Sequence, residues 1–294
     1  MARRKRNERE SNPPPMELTE RDIQILDMVY RCRVLRQDHI HALFFGSSKT
    51  ASQRRLALLY HHGFLARRFL TVRASYLLSP ALYVLDRRGA TCLRTALGYD
   101  ELHWQTGDTQ VGQVFLEHTL AINDVRVAVT LACRQYGYSL LDWQSEADLK
   151  ADFDRVPLRD TTGRKKAVSL IPDSYFVLDT PHGKAHFFLE LDRGTETSAR
   201  FQSKISVYLA YYASGAYEKR YHTKSLRVLT VTFNQKRLNA LKNVSEKAKG
   251  GARFWFGLLS EMSPEHVLTG PMWSVAGKNM LFPLVEPIES EIEN

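Results

Sequence analysis

The chain has 294 residues with 44% hydrophobic residues, which excludes a largely disordered polymer and predicts one large or two smaller folded domains. It has no run of about 18 apolar residues, and its start, MARRKRNERE, lacks the apolar part of a secretory signal. We therefore expect no membrane span and a cytoplasmic location. Cys32, Cys92 and Cys133 are widely spaced, which excludes a disulfide framework and a zinc knuckle.

The net charge of +9 is unevenly distributed along the sequence. Residues 1–98 carry 18 Lys and Arg against 8 Asp and Glu, whereas the remaining residues carry 23 against 24. A localised basic surface is typical of nucleic-acid binding, because neutralised phosphates release their counterions. The charge therefore predicts double-stranded DNA as a partner of the first third, and a solvated basic face is the alternative.

The N-terminal third is predicted to contain a short arm and three helices. Residues 1–15 are charged and end in SNPPP, which predicts a disordered basic arm. Thr19 and Asp22 are spaced as in a capping box at the start of a first helix. The stretch RQDHIHALFF predicts a second helix, and SSKTASQRRLALLYHHG predicts a third with a serine N-cap and a closing glycine, Gly63.

Two β-rich runs with a basic interruption follow, in FLARRFLTVRASYLLSPALYVLDRRG. With the three helices they resemble a winged helix-turn-helix domain over residues 16–100. In such a domain the third helix enters the major groove and the wing follows phosphate. The resemblance implies DNA contacts from Lys49, Gln53, Arg54 and Arg55 on the helix, and from Arg67, Arg68 and Arg73 on the wing. Each of these arginines could equally be a solvated surface charge.

His39 and His41 form a His-apolar-His pattern that relaxases use on a strand to hold a metal. Positions i and i+2 share a face of a strand, but they point about 200° apart on a helix. Because DHIHA is predicted to be helical, we do not assign a metal to this pair.

The rest of the chain is predicted to be an α/β domain over residues 101–285, followed by an acidic tail at 286–294. A long helix begins near Val111, YSLLDWQSEADL predicts a strand, and 152–166 is predicted to be a polar loop. Strands at 169–179 and 184–192 precede a helix at about 197–213. SLRVLTVTF predicts a strand, Asn234 begins a helix, and RFWFGLLSEM predicts another strand. This order predicts a mixed sheet.

Three acids lie in the predicted hairpin IPDSYFVLDTPHGKAHFFLELDRGT. A two-residue turn at His182-Gly183 would place Asp173 opposite Asp192 and diagonal to Glu190, with all three on one face. Ionised carboxylates among apolar residues require a partner. Convergent carboxylates predict a hard cation, Mg²⁺ or Mn²⁺, with Glu146 near the end of the preceding strand as a further ligand.

The segment from Pro172-Asp173 to Glu190-Leu191-Asp192, with a helix on either side, resembles the PD-(D/E)XK nuclease-like core. The resemblance implies a restriction-endonuclease-like fold and metal-dependent phosphodiester hydrolysis. It implies metal binding by Asp173, Glu190 and Glu146 and catalytic roles for Asp173, Glu190 and Asp192. Asp192 stands where the lysine of the pattern is expected, so the lysine role would fall to Lys204 on the following helix.

The winged domain, HTLAINDVRVAV, PDSYFVL, FFLELDRGTET and FQSKISVYLAYY together resemble the plasmid replication-relaxation family. The resemblance implies a protein that binds the DNA of a plasmid or mobile element and acts in its replication and relaxation by nicking it, alongside other replication or transfer proteins. The alternative is a non-enzymatic winged-helix initiator or regulator with an inactive nuclease-like scaffold.

Two further interpretations stay open. Asp192, Arg193 and Glu196 could form an ion-pair cluster that caps the helix. A tyrosine could instead attack phosphate and form a covalent link to DNA, although aromatic residues at helical spacing are more often core. The candidates for that role are Tyr208, Tyr211, Tyr212, Tyr217 and Tyr221.

Overall fold

The computed structural model describes residues 6, 8–70, 80–99, 102, 104–105, 112–159 and 165–286. The chain divides into two compact units, 1–123 and 124–294, so the division falls later than the predicted boundary near residue 100. Arg73 of the predicted wing and residues 287–294 of the predicted tail lie outside the described residues. Within the described part of the chain, no helix is both long enough and apolar enough to cross a bilayer.

The first unit contains the three predicted helices and a small antiparallel sheet of order β1-β3-β2. Its elements are α1 (Glu20–Cys32), β1 (Leu35–Arg36), α2 (Gln37–Phe44), α3 (Lys49–His61), β2 (Leu65–Arg68), β3 (Leu82–Leu85) and α4 (Arg87–Leu97), and α5 (Gln113–Tyr136) begins in it. In this unit α1, α2, α3, β2 and β3 follow the order of the three helices and two β-rich runs predicted from the sequence.

Local capping explains where α1 begins. The Thr19 hydroxyl accepts from the backbone N–H of Asp22, and the Asp22 carboxylate accepts from the Thr19 backbone at 2.7 Å, which confirms the predicted capping box. Ser48 is the N-cap of α3, but its side chain makes no capping hydrogen bond. His39 and His41 lie on α2 and not on a strand, so the relaxase-like use of this pair is excluded.

The predicted disordered arm is wrong for residues 8–15, which pack against the end of α3. Arg9 donates to the carbonyl oxygens of Tyr60 at 2.9 Å and Leu65 at 3.1 Å, and it also pairs with Asp86. The Glu10 backbone donates to His61 Nδ1 at 3.0 Å. A guanidinium that finds buried carbonyl acceptors is ordered by them, and composition alone cannot reveal such partners.

The second unit is built on a seven-stranded mixed sheet of order β12-β11-β10-β9-β8-β7-β4, beside a separate pair, β5-β6. Its strands and helices are β4 (Ser139–Ser145), α6 (Glu146–Ala151), β5 (Asp154–Arg159), β6 (Lys165–Leu170), β7 (Ser174–Thr180), β8 (Gly183–Asp192), α7 (Ser198–Ala213), α8 (Ala216–Tyr221), β9 (Arg227–Thr232), α9 (Gln235–Lys247), β10 (Phe254–Leu258), β11 (Trp273–Val275) and β12 (Leu281–Phe282). The polar loop predicted at 152–166 was wrong at its described positions 154–159, which form β5, and 165–166, which begin β6; residues 160–164 lie outside the described residues.

The core of this sheet follows a simple order. β4, β7 and β8 form an antiparallel meander, α7 crosses back, and β9 runs parallel to β8. The fold is therefore mixed α+β with the predicted helix-strand-strand-strand-helix-strand core. Phe188, Phe201, Tyr208, Phe254 and Phe256 are buried between α7 and the sheet, which fixes α7 over the end of β8.

Candidate active site

The hairpin of β7 and β8 has a register offset by two residues from the predicted one. Thr180 pairs with Gly183 and Ser174 with Leu189, so the turn is Pro181-His182. The next position outward therefore places Asp173 opposite Glu190, where Asp192 was predicted. A shift of two residues preserves the alternation of faces, so Asp173 and Glu190 still belong to one face of the sheet.

Glu190 is the buried acid of the site, with 4% of the residue exposed. Lys204 Nζ donates to its Oε2 at 2.8 Å, and the Tyr208 hydroxyl donates to its Oε1 at 2.6 Å. Burial raises the pKa of Glu190 to about 7, although Lys204 acts to lower it. Lys204 and Tyr208 are four residues apart on α7, so both reach the same carboxylate.

Asp173 closes the cluster from the start of β7. Its Oδ2 accepts from the backbone N–H of Leu191 at 2.7 Å, which holds the carboxylate beside β8 at the residue after Glu190. The charge of Asp173 contributes to the raised pKa of both Glu190 and Lys204. Asp173, Glu190 and Lys204 thus form one polar cluster, which we call the acid-lysine cluster.

Lys204 connects this cluster to solvent. Its side chain is 33% exposed, and its Nζ also lies 3.7 Å from Glu196 Oε2. Burial acts to lower the pKa of Lys204, but the neighbouring carboxylates of Glu190, Glu196 and Asp173 raise it above its usual value. The ammonium is therefore charged at physiological pH.

Glu146 was predicted as a third metal ligand, but in the structure its carboxylate pairs with a lysine on its own helix. It is the first residue of α6 and pairs with Lys150 at 2.6 Å, with 40% of its side chain exposed. Among the residues the structure describes, no group of three or more His, Cys, Asp or Glu side chains is placed to hold a metal. A site built on Asp173 would therefore have two carboxylates rather than three.

Asp192 was predicted to be catalytic, but its carboxylate is held by Arg237 of α9. The Arg237 guanidinium donates to Oδ2 and Oδ1, both at 2.7 Å, and Asp192 also accepts from Gly194 N at 3.1 Å. Arg237 further donates to the Glu196 carbonyl at 2.6 Å. Asp192 therefore fixes the chain after β8 to α9.

The donor set of the acid-lysine cluster fits Mg²⁺ or Mn²⁺. Asp173 and Glu190 supply hard carboxylate oxygens, and Mg²⁺ is commonly bound by one or two carboxylates, with waters and substrate phosphates completing its coordination. A buried carboxylate with a raised pKa also gains a partner for its ionised form when a cation binds beside it.

Three of the five candidate tyrosines on α7 and α8 are buried core residues with engaged hydroxyls, whereas Tyr212 and Tyr221 are half-buried. Tyr208 donates to Glu190, Tyr211 donates to Asp154, and Tyr217 donates to the Ser225 carbonyl at 2.9 Å. Burial raises the pKa of each of these three phenols. A buried, neutral phenol is poorly suited to attack phosphate, so the structure favours the core interpretation for these three residues.

The first unit presents only part of the predicted DNA-binding set on its surface. Lys49, Gln53 and Arg54 are exposed on α3, as a helix that reads a groove requires. Arg67 stacks on the Tyr60 ring, with its guanidinium carbon 4.1 Å from the ring centroid, and it is half-buried, as is Arg68.

Arg55 was predicted to contact DNA, but the structure pairs it with a buried acid. Its Nε donates to Asp22 Oδ1 at 2.7 Å, and a second nitrogen donates to Asp22 Oδ2. Asp22 is fully buried, so this pair ties α3 to the start of α1 rather than reaching for DNA. Burial acts to raise the pKa of Asp22, but Arg55 and Thr19 together hold it below its usual value.

We expect Arg55→Ala to lower the free energy of unfolding by about 3 kcal/mol, because it leaves a buried carboxylate without its cation. The matched control is Arg54→Ala, one residue away and exposed, which should change stability by less than about 0.5 kcal/mol. Urea unfolding of both variants checks this, and equal stabilities would refute a structural role for Arg55.

Comparison with known proteins identifies the family. Residues 26–226 match the family described as replication-relaxation, and no curated protein matches the chain. Two solved structures show a distant likeness. The restriction endonuclease FokI has 10% sequence identity, covering 82% of this chain and 42% of FokI, at a TM-score of 0.28. FokI bound to DNA has 9% identity, covering 84% of this chain and 45% of FokI, at a TM-score of 0.27. The chain spans less than half of FokI, and our fold assignment rests on strand order instead. The matched segment covers most of the sequence, and the chain belongs to the replication-relaxation family.

Proposed function

We propose that the chain binds double-stranded DNA through its first unit and nicks DNA at the acid-lysine cluster. The observation that carries the proposal is the buried Glu190 with a raised pKa, held by Lys204 beside Asp173 at the open end of the central hairpin. Perturbed titratable groups that converge at one place are typical of catalytic sites. This activity suits a protein that relaxes plasmid or mobile-element DNA during replication, together with other replication or transfer proteins.

Each residue of the cluster has a distinct role in this proposal. Asp173 and Glu190 would hold Mg²⁺ or Mn²⁺, which supplies Lewis-acid polarisation of the phosphate and a water of lowered pKa. Tyr208 keeps Glu190 in place through its hydrogen bond to Oε1. Lys204 has a raised pKa, so it cannot take a proton from water, and instead its ammonium stabilises the negative charge that develops on the phosphate.

The first unit would position the DNA. Its exposed Lys49, Gln53 and Arg54 lie along α3, in the part of the chain that carries the whole positive excess. Basic residues that contact phosphate give affinity that falls steeply with salt, and a recognition helix adds contacts to base edges.

The test is nicking of supercoiled plasmid with Mg²⁺, with Mn²⁺ and with a chelator. We expect the unaltered chain to produce open-circular DNA only when metal is present, and Asp173→Ala to produce none while it still binds DNA. Asp179→Ala is the matched control, because Asp179 is an exposed acid at the other end of β7. Equal nicking by the unaltered chain and Asp173→Ala would exclude this cluster as the site.

A second candidate function is that of a non-enzymatic DNA-binding initiator or regulator. It is favoured by Asp192, which stands at the usual lysine position and is bound to Arg237. Salt-sensitive DNA binding without nicking under either metal would support this function.

A further inference from the structure

The hairpin of β5 and β6 is a separate two-stranded sheet inserted between α6 and β7. Each strand has six residues, a length of about 20 Å at 3.4 Å per residue. β6 ends at Leu170, so only two residues separate it from Asp173. The last residue of β6 is therefore three positions before Asp173 of the acid-lysine cluster, so the base of the hairpin is held close to that cluster.

One face of the hairpin is anchored to the core of the second unit. Val156 and Leu170 are buried in the cluster that includes Tyr208. Asp154 accepts from the Tyr211 hydroxyl, and Arg220 lies 3.3 Å from the same carboxylate. The alternation of strand residues then directs the neighbouring positions away from the core.

The strand positions that alternate with the anchored ones are occupied by basic and small residues. Arg155 pairs with Ser169, Pro157 with Ala167, and Arg159 with Lys165. Arg155, Pro157, Ala167 and Ser169 are exposed, as is the neighbouring Lys166. The two strands together have four basic residues and one acid, Asp154, which is already bound to Tyr211 and Arg220.

We propose that this β5-β6 hairpin is a DNA-binding ribbon that holds the phosphate backbone of a duplex beside the acid-lysine cluster. The small residues between the basic positions leave room for the backbone to approach, and a two-stranded ribbon fits the major groove. Basic residues and proline can also protect exposed strand edges from pairing with other chains. A measurement of DNA affinity distinguishes DNA binding from edge protection. The cleavage at this place rests on the proposed function, but the binding of DNA by the hairpin does not.

The experiment compares two triple variants of the full chain that lose the same charge. The hairpin variant carries Arg155→Ala, Arg159→Ala and Lys165→Ala. The control carries Lys236→Ala, Lys247→Ala and Lys278→Ala, which replace exposed lysines in α9 and before β12. Fluorescence anisotropy gives the Kd for a labelled duplex between 50 and 300 mM KCl, and circular dichroism verifies folding.

We expect the hairpin variant to raise the Kd at least tenfold and to reduce the slope of log affinity against log salt by about 2–3, as three lost phosphate contacts predict. The control should change the Kd less than threefold. Equal Kd values for the two variants would overturn the proposal and favour edge protection, even if plasmid is still nicked. A weakened hairpin variant in a chain that nicks no DNA would support the ribbon and refute only the cleavage.

Discussion

Glu190→Gln is expected to reduce the plasmid-nicking rate by roughly 10²- to 10⁴-fold, because a neutral amide cannot supply the charge that the metal needs. Glutamine keeps the size of the side chain and an oxygen that accepts from Lys204 or Tyr208, so the fold should be retained. The rate is measured at saturating DNA and Mg²⁺. A rate within threefold of the unaltered chain would show that Glu190 takes no part in cleavage.

The same substitution should alter the pH dependence of stability in the absence of metal. Burial raises the pKa of Glu190 to about 7 from 4.5, so folding favours its protonated form. That stabilisation is complete below about pH 4.5 and is lost as the pH rises through 7. Between pH 5 and 8 the unaltered chain should therefore lose on the order of 1–3 kcal/mol of unfolding free energy relative to Glu190→Gln.

Arg237→Ala is expected to lower the free energy of unfolding by about 3–5 kcal/mol, because it strands a buried carboxylate. The Asp192 side chain is only 3% exposed and receives two hydrogen bonds from Arg237. Urea unfolding measures the loss. The exposed neighbour Lys236 provides the control, and Lys236→Ala should stay within about 0.5 kcal/mol of the unaltered chain.

The double variant Asp192→Asn with Arg237→Met separates pairing from packing. It removes both charges, so it should be more stable than Arg237→Ala alone. A loss below about 1 kcal/mol for Arg237→Ala would contradict the structural role assigned to the pair.

Local patterns in the sequence predicted much of the fold. The capping residues Thr19 and Asn234 begin the helices that they were predicted to begin, because a cap is encoded within four residues. The order of helices and strands around the hairpin also followed from hydrophobic periodicity. Lys204 came instead from the nuclease-like resemblance, as the lysine on the helix after Asp192, and its Nζ donates to Glu190.

The hairpin register could not be predicted from the sequence. TPHG allows a turn at Pro181-His182 or at His182-Gly183, and the two choices differ by two residues. Such a shift leaves every side chain on its face, so the apolar pattern is the same for both. The structure uses Gly183, with φ of 101°, as the first residue of β8, a conformation that glycine adopts without strain.

Long-range ion pairs explain the residues that sequence reasoning misassigned. Arg55 reaches Asp22 across 33 positions, and Arg237 reaches Asp192 across 45. No local pattern specifies which exposed-looking arginine will meet a buried acid, because the packing of separate helices decides it. The β5-β6 hairpin was missed for a different reason: its strands are short, and their basic residues favour a loop assignment.

Binding of Mn²⁺ to the protein alone tests whether the acid-lysine cluster is a metal site. The free ion is measured by electron paramagnetic resonance during a titration at pH 8, where Glu190 is mostly ionised because its pKa is about 7. We expect one Mn²⁺ per chain for the unaltered protein and for Asp179→Asn, and at least tenfold weaker binding for Asp173→Asn. Equal Mn²⁺ binding by the unaltered protein and Asp173→Asn would contradict a metal site at Asp173 and Glu190.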